Sequence, residues 1–297
     1  MKSFDILFEK AKTGNPRKLI IAAAEDDNVL LSVKDAVQNK IIEPIFVGDR
    51  EKITKLSDEI QFDITRYNII DETNPAKSAV IAVNEVRNGN AQILMKGYVQ
   101  TADFLRAILN KEFGLRSSDL LSHIGIFEIP AYHKLIALTD AAQNIAPDLN
   151  EKVTIIKNAI NVFHRLGNSN PKVALLAAVE SVNPKMQATI DAATITMMNK
   201  RGQIKGCIID GPLAFDNAVS KESAEHKGIV SEVAGDVDLL VAPDIEAGNV
   251  LYKSFTYFGG GTVAAVVLGA TVPIVLTSRS DSDRSKLSSI ALAACFE

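Results

Sequence analysis

The chain has 297 residues, 47% of them hydrophobic and 23% charged, a balance that excludes intrinsic disorder. Its 32 Lys and Arg against 36 Asp and Glu give a formal net charge of -4, without the clustered basic surface that a nucleic-acid partner requires. Cys207 and Cys295 form neither a CxxC motif nor a disulfide framework, which predicts two reduced thiols in a cytoplasmic protein. The N-terminal MKSFDILFEKAKTG has no continuous apolar core of the signal-peptide kind. The most apolar stretch, 262–276, is about 15 residues where a spanning helix needs ~20, so no membrane association is expected.

Residues 18–23 (KLIIAA) read as a buried strand, and 26–40 as a helix with Val29, Leu30, Val33 and Val37 on one face. Strands follow at 44–47 and, more weakly, at 66–70. A helix over 75–87 turns Ala79, Val80, Val83 and Val86 inward. A strand at 93–95 leads to a helix that Thr101 can cap, carrying Phe104, Leu105, Ile108 and Leu109. Strands at 123–129 and 134–139 precede a long helix over 149–166, closed by Gly167-Asn168-Ser169-Asn170-Pro171. Next come a strand at 172–179, a helix over 184–200, a strand ending at Asp210, a strand at 238–242 and a helix beginning near Glu246. A strand at 274–276 and a helix over 282–294 end the pattern. Strands alternating with helices of this length imply βαβ units and a largely parallel sheet.

In open α/β sheets, ligands gather beyond the carboxyl ends of strands. Five such ends here are polar and glycine-rich. They carry Lys96 and Thr101; Asp140 and Asn144; Asp210, Gly211, Pro212 and Asp216; Asp244, Gly248 and Asn249; and Ser278, Arg279, Asp281 and Asp283. Taken singly, an Asp or Asn before a helix is an N-cap and a glycine is turn chemistry. Taken together, they gather helix N-termini, glycine backbones and cations that suit an anion. In TSRSDSDR (277–284), Ser278 offers a hydroxyl and Arg279 a guanidinium fork matched to phosphate oxygens. Asp281 and Asp283 supply bases or caps.

The motifs LMKGYVQTADFLRAILN (94–110), LTDAAQNIAPDL (138–149), PKVALLAAVESVNPKMQATIDA (171–192), DGPLAFDNAVS (210–220), PDIEAGNVLYK (243–253) and PIVLTSRSDS (273–282) occur in the order of one family. Together they resemble the phosphate acetyl/butyryltransferase family, and GPLAFDNAVS and the chain length are most like its butyryl branch. The resemblance implies a two-domain, three-layer αβα fold with mostly parallel sheets, similar to the isocitrate and isopropylmalate dehydrogenases. Residues 1–127 with 266–297 would form one domain and 128–265 the other, with the active site in the cleft between them. It implies reversible transfer of a short-chain acyl group between coenzyme A and phosphate, by direct attack in a ternary complex, in a homodimer or larger homo-oligomer. No metal or bound cofactor is expected, since CoA and phosphate are substrates.

On this resemblance Asp281 is the first choice of base and Asp283 the second. Ser278 would hydrogen-bond the oxyanion and Arg279 would hold phosphate or the CoA pyrophosphate. Lys96 and Arg106 would add anion contacts. Two departures stand out: the aspartate proposed as base in the acetyl branch aligns with Ser285, and Ala141 stands where some acetyl enzymes carry a cysteine.

Other signals point away from competing chemistry. Gly259-Gly260-Gly261-Thr262-Val263-Ala264 fits a loose dinucleotide fingerprint but follows a predicted helix rather than a strand. His123, His133, His164 and His226 are scattered and lack metal-ligand spacing. Cys207 lies in an apolar run and reads as core, and there is no GxSxG. The alternatives are the same reaction on acetyl groups, a metal- and NAD-dependent decarboxylating dehydrogenase of the related fold, and a CoA-binding protein without turnover.

Overall fold

The structure, a computed structural model, describes residues 3–276 and 281–296. It divides into two compact units, Phe4–Asp119 with the chain from Ala264 onward, and Leu120–Val263. Ser278 and Arg279 lie outside the described residues.

In the first unit, β1 (Arg17–Ala22), β2 (Ile42–Gly48), β3 (Asn68–Asp71), β4 (Ile93–Lys96), β10 (Thr262–Leu268) and β11 (Ile274–Val275) stand in the order β3-β2-β1-β4-β11-β10. The β1–β2, β1–β4, β2–β3 and β4–β11 pairs are parallel, and β10 runs antiparallel to β11 with Val267 opposite Ile274. Leu19, Ile20, Ile21 and Ala22 are all fully buried, as expected of a central parallel strand covered on both faces. The helices are α1 (Phe4–Ala11), α2 (Asp27–Gln38), α3 (Arg50–Glu59), α4 (Pro75–Arg87), α5 (Thr101–Ile108) and α11 (Asp283–Ala294). Side chains start most of them: Asp26 accepts from Val29 N, Asp49 from Lys52 N, Asn74 from Ala76 and Lys77 N, and Ser282 from Ser285 N. α11 packs against α1 and α2 and is buried nearly all round, and its small residues Ser288, Ser289, Ala291, Ala293 and Ala294 allow that close approach.

In the second unit, β5 (Ser122–Glu128), β6 (Ile136–Thr139), β7 (Lys172–Leu176), β8 (Ile208–Leu213) and β9 (Leu239–Val241) stand in the order β5-β6-β9-β7-β8. All neighbours are parallel except β5 and β6. The helices are α6 (Leu149–Arg165), α7 (Gln187–Lys200), α8 (Phe215–Val219), α9 (Lys221–His226) and α10 (Ile245–Tyr257). A reciprocal Asp148–Glu151 capping box opens α6. Mixed, mostly parallel α/β architecture therefore holds in each unit.

The structure departs from the sequence expectations at several points. Residues 262–268 form a strand, hidden in the sequence because a continuous apolar run shows no period of two. The short helices α1 and α3 went unread, their apolar stripes resting on few residues. α7 starts at Gln187, because Asn183 turns back to accept from Lys185 N at 3.0 Å and so holds 183–186 in a turn. β7 ends at Leu176, and β8 runs on through Asp210 to Leu213. Thr101 is the first residue of α5 and Gln100 its N-cap, with no side-chain cap bond.

Candidate functional site

In the first unit the carboxyl ends of β1 and β4 meet beside a cavity of about 370 Å³. Two backbone bonds lock the ends together: Gly97 N donates to Ala22 O at 2.9 Å and Tyr98 N to Ala23 O at 2.6 Å. A Cβ on Gly97 would lie 2.0 Å from Ala23 O, so no larger residue fits that approach. The cavity is lined by Glu25, the start of α2, Lys96, Gly97, Tyr98 and Lys286 of α11. Lys96 is half-buried, with its Nζ 3.2 Å from Gly97 O. The Lys286 side chain is only 4% exposed, and Asp283 at 3.9 Å is its ion-pair partner.

Glu25 is half-buried at the end of this strand. Its Oε2 is shielded from solvent and accepts no hydrogen bond among the described residues. That oxygen sits over Gly48, where a Cβ would approach it to 2.1 Å. Burial pushes the Glu25 carboxyl above its ordinary range, against the pull of the Glu25 and Asp49 backbone N–H groups and of Lys52.

At the head of α11, Asp281 is half-exposed and Asp283 occupies the first turn with its side chain 64% exposed. Ser285 is buried, and Ser282 Oγ donates to Ser285 Oγ at 3.0 Å. Thr101 and Arg106 are exposed and do not line the cavity. Arg106 is ion-paired with Asp103 one turn earlier on α5.

In the second unit a different cluster forms around Asp140, which is 3% exposed. Its carboxylate accepts from His123 N at 3.1 Å, from Ala142 N and Gln143 N at 2.9 Å each, and from the Asn144 side chain. Asn144 also donates to Leu121 O at 2.9 Å. A Cβ on Gly248 would lie 2.3 Å from Asp140 O, and Asn249 donates to Ala141 O at 3.1 Å. Asp140, Asn144, Gly248 and Asn249 are thus brought together, and they hold one another.

Elsewhere in this unit, Gly211 lies against β7, a Cβ there meeting Leu175 Cβ at 2.8 Å. Asp210 accepts from Gly211 N at 2.9 Å and Pro212 is buried behind it. Asp216 is paired with Lys227 at 3.4 Å, and Asp244 caps α10 by accepting from Ala247 N at 2.8 Å.

No group of three or more His, Cys, Asp or Glu among the described residues could hold a metal ion. His123 is fully enclosed; burial holds its imidazole below the ordinary range, with Asp140 opposing. Cys207 is buried and free, its thiol pushed up to about 11 by burial. No described helix is long and apolar enough to cross a membrane. Sequence reasoning passed over Glu25 and Lys286. The strand-end rule applied to β1 would have found Glu25, whereas Lys286 carries no signal beyond its place in a helix of small residues.

The sequence matches the family model described as phosphate acetyl/butaryl transferase over residues 3–80 and 72–294. It is 46% identical over 294 residues to the phosphate butyryltransferase of Clostridium acetobutylicum, covering 99% of this chain and 98% of that protein. It is 42% identical to the phosphate acetyltransferase of Thermotoga maritima, covering 98% of each. Among solved structures it is similar to a branched-chain phosphotransacylase from Enterococcus faecalis, with TM-score 0.83, 36% identity, and coverage of 94% of this chain and 98% of that one. A 4-hydroxythreonine-4-phosphate dehydrogenase from Burkholderia phymatum shares the fold at TM-score 0.58 and 13% identity, over 95% of this chain and 98% of that one.

Proposed function

Because the chain belongs to the phosphate acetyl/butaryl transferase family, we propose that it is a phosphate butyryltransferase, interconverting butyryl-CoA plus phosphate with butyryl phosphate plus CoA. The observation that carries the reading is the 46% identity to a phosphate butyryltransferase over 99% of this chain. The same chemistry on acetyl groups is the second reading, supported by the 42% identity to a phosphate acetyltransferase. One methylene in an apolar pocket is worth only ~1–3 kcal/mol, so few substitutions separate the two.

In this reading CoA and phosphate are both substrates. Ser278 donates to the tetrahedral oxyanion and Arg279 grips phosphate oxygens in a bidentate fork. Lys96 adds positive charge at the end of β4, in the same cavity as Lys286. The reading further assigns the enzyme to the cytoplasm as a homodimer or larger homo-oligomer, which cell fractionation and analytical ultracentrifugation test.

The deciding experiment measures thiol release from butyryl-CoA and acetyl-CoA, with and without phosphate, in metal-free buffer. Phosphate-dependent release that is faster with butyryl-CoA is expected. Faster release from acetyl-CoA moves the assignment to the acetyl reaction, release without phosphate indicates hydrolysis, and no release with either ends the reading. Turnover that required a divalent metal and NAD would assign the chain to the dehydrogenase class.

A further inference from the structure

This inference deepens the phosphate acyltransferase reading and rests on it. A thiol attacking an acyl phosphate must lose its proton, and a carboxylate that accepts it works best when partly withdrawn from water. Of the two aspartates at the head of α11, Asp283 is not so placed, its side chain being 64% exposed, whereas Asp281 has the same intermediate burial as Glu25. Ser285, aligned with the aspartate proposed as base in the acetyl branch, is buried against Ser282. One residue further on, Lys286 opens into the cavity at the ends of β1 and β4, and Glu25 lines that same cavity.

We propose that Glu25 is the proton-transfer group of this enzyme, exchanging a proton with the CoA thiol inside the cavity it shares with Lys96 and Lys286. Four observations support it. The cavity, at about 370 Å³, lies within the ~300–1,000 Å³ range of small-molecule sites. Glu25 Oε2 is shielded from solvent and has no hydrogen-bond partner among the described residues, so one oxygen of the carboxylate keeps its acceptor capacity while the Glu25 and Asp49 backbone N–H groups hold the group in place. Gly48 leaves the space in which that oxygen sits. Two lysines in the cavity supply positive charge for the phosphate side of the reaction.

In the CoA-consuming direction the S–H proton passes to Glu25 and the sulfur electron pair forms the new C–S bond. The acyl C–O bond breaks, and its electron pair leaves on phosphate. In the opposite direction a phosphate oxygen attacks the thioester carbon, the C–S bond breaks, and the departing thiolate takes the proton from the neutral Glu25 carboxyl.

The charged and titratable neighbours come from four elements. The start of α2 contributes Asp26, engaged as its cap, and the exposed Asp27; Asp49 and Lys52 flank from the start of α3. The end of β4 contributes Lys96 and Tyr98, and α11 contributes Lys286. Because burial raises the Glu25 carboxyl, thiol attack should increase with pH through a limb above the ordinary glutamate range.

The test is Glu25→Gln in the full chain, assayed for butyryl transfer from butyryl phosphate to CoA across pH. The expected result is a kcat loss of about 10²–10⁴-fold, KM changed by less than about threefold, and disappearance of the limb. A kcat within about threefold of wild type with the limb unchanged overturns the proposal. If Glu25→Gln melts well below wild type, Glu25→Asp is read instead: reduced kcat with a displaced limb supports the proposal, and an unmoved limb overturns it. Wild type is assayed first for phosphate-dependent CoA release. An inactive wild type removes the acyltransferase reading and this inference with it, whereas an active wild type beside a normal Glu25→Gln removes only the inference.

Discussion

Each unit ends a strand in a withdrawn carboxylate, and the two are treated in opposite ways. Asp140, after β6, is 3% exposed and accepts from three backbone N–H groups and the Asn144 amide. Glu25, after β1, keeps Oε2 out of solvent with no donor assigned to it among the described residues. Each loop relies on a glycine pressed against a carbonyl, Gly248 on Asp140 O and Gly97 on Ala23 O. The backbone devices match, so the difference lies in what the carboxylate is for. A buried charge whose acceptor capacity is filled is a fastener; one that keeps an oxygen without a donor beside a cavity is free to exchange a proton.

The largest effect should come from removing the fastener. Asp140→Ala leaves the buried N–H of His123 and those of Ala142 and Gln143 without their acceptor, at about 1–3 kcal/mol for each one unsatisfied. A loss of about 3 kcal/mol or more is expected in denaturant unfolding. A loss under about 1 kcal/mol would show that water or the backbone replaces the carboxylate, and the contrast with Glu25 would collapse.

Next come the glycines. Gly248→Ala sets a methyl 2.3 Å from Asp140 O, and Gly97→Ala sets one 2.0 Å from Ala23 O. Each should destabilise by about 1–3 kcal/mol through overpacking. Kinetics sharpen the comparison. Gly97→Ala displaces the wall of the cavity and should lower kcat/KM beyond its effect on folding. Gly248→Ala should act chiefly on stability, as Tm and kcat/KM measured on the same preparations will show.

The alternation of apolar strands and amphipathic helices was legible because both periods are local, whereas the individual caps Asp26, Asn74 and Asp148 appear only in the structure. β10 was not, since Val263–Leu268 is apolar on both faces. At the candidate site the strand-end rule picked out Lys96 and Asp140. It could not show that Asp140 is filled by donors, one of which comes from His123, 17 positions earlier. Asp244 was legible as a polar strand end, whereas Asp210 and Gly211, read as the end of a strand, lie inside β8. Glu25 was overlooked because EDDN before a helix looks like a solvated, capped helix start. Its withdrawal depends on Gly48, brought alongside by the β1–β2 pairing.

A smaller effect tests the other side of the contrast. A carboxyl raised in the folded state contributes stability that is fully present below its unfolded value, near 4.5, and is lost as pH rises through the folded one. Glu25→Gln cannot ionise. Its Tm relative to wild type should therefore improve between pH 4 and pH 8, by no more than about 2–4 °C, because solvent screens a half-buried group. A difference that is flat with pH, or that falls, would mean that Oε2 too is partnered in solution and that Glu25 is a second fastener.

Asp283→Asn should do least. Its side chain is 64% exposed, its lysine partner is 3.9 Å away, and its place in the first turn of α11 is worth about 0.3–1 kcal/mol of dipole stabilisation. With Glu25 carrying the proton, kcat at saturating substrates should change by less than about threefold and the pH limb should stay in place. The interest lies in the pairing with Glu25→Gln, because one proton needs one acceptor. A loss of tenfold or more in Asp283→Asn with the limb abolished, beside a Glu25→Gln that keeps both, would move proton transfer to the head of α11. The unpartnered carboxylate oxygen beside Gly48 would then be a cost the fold tolerates rather than a tool it keeps.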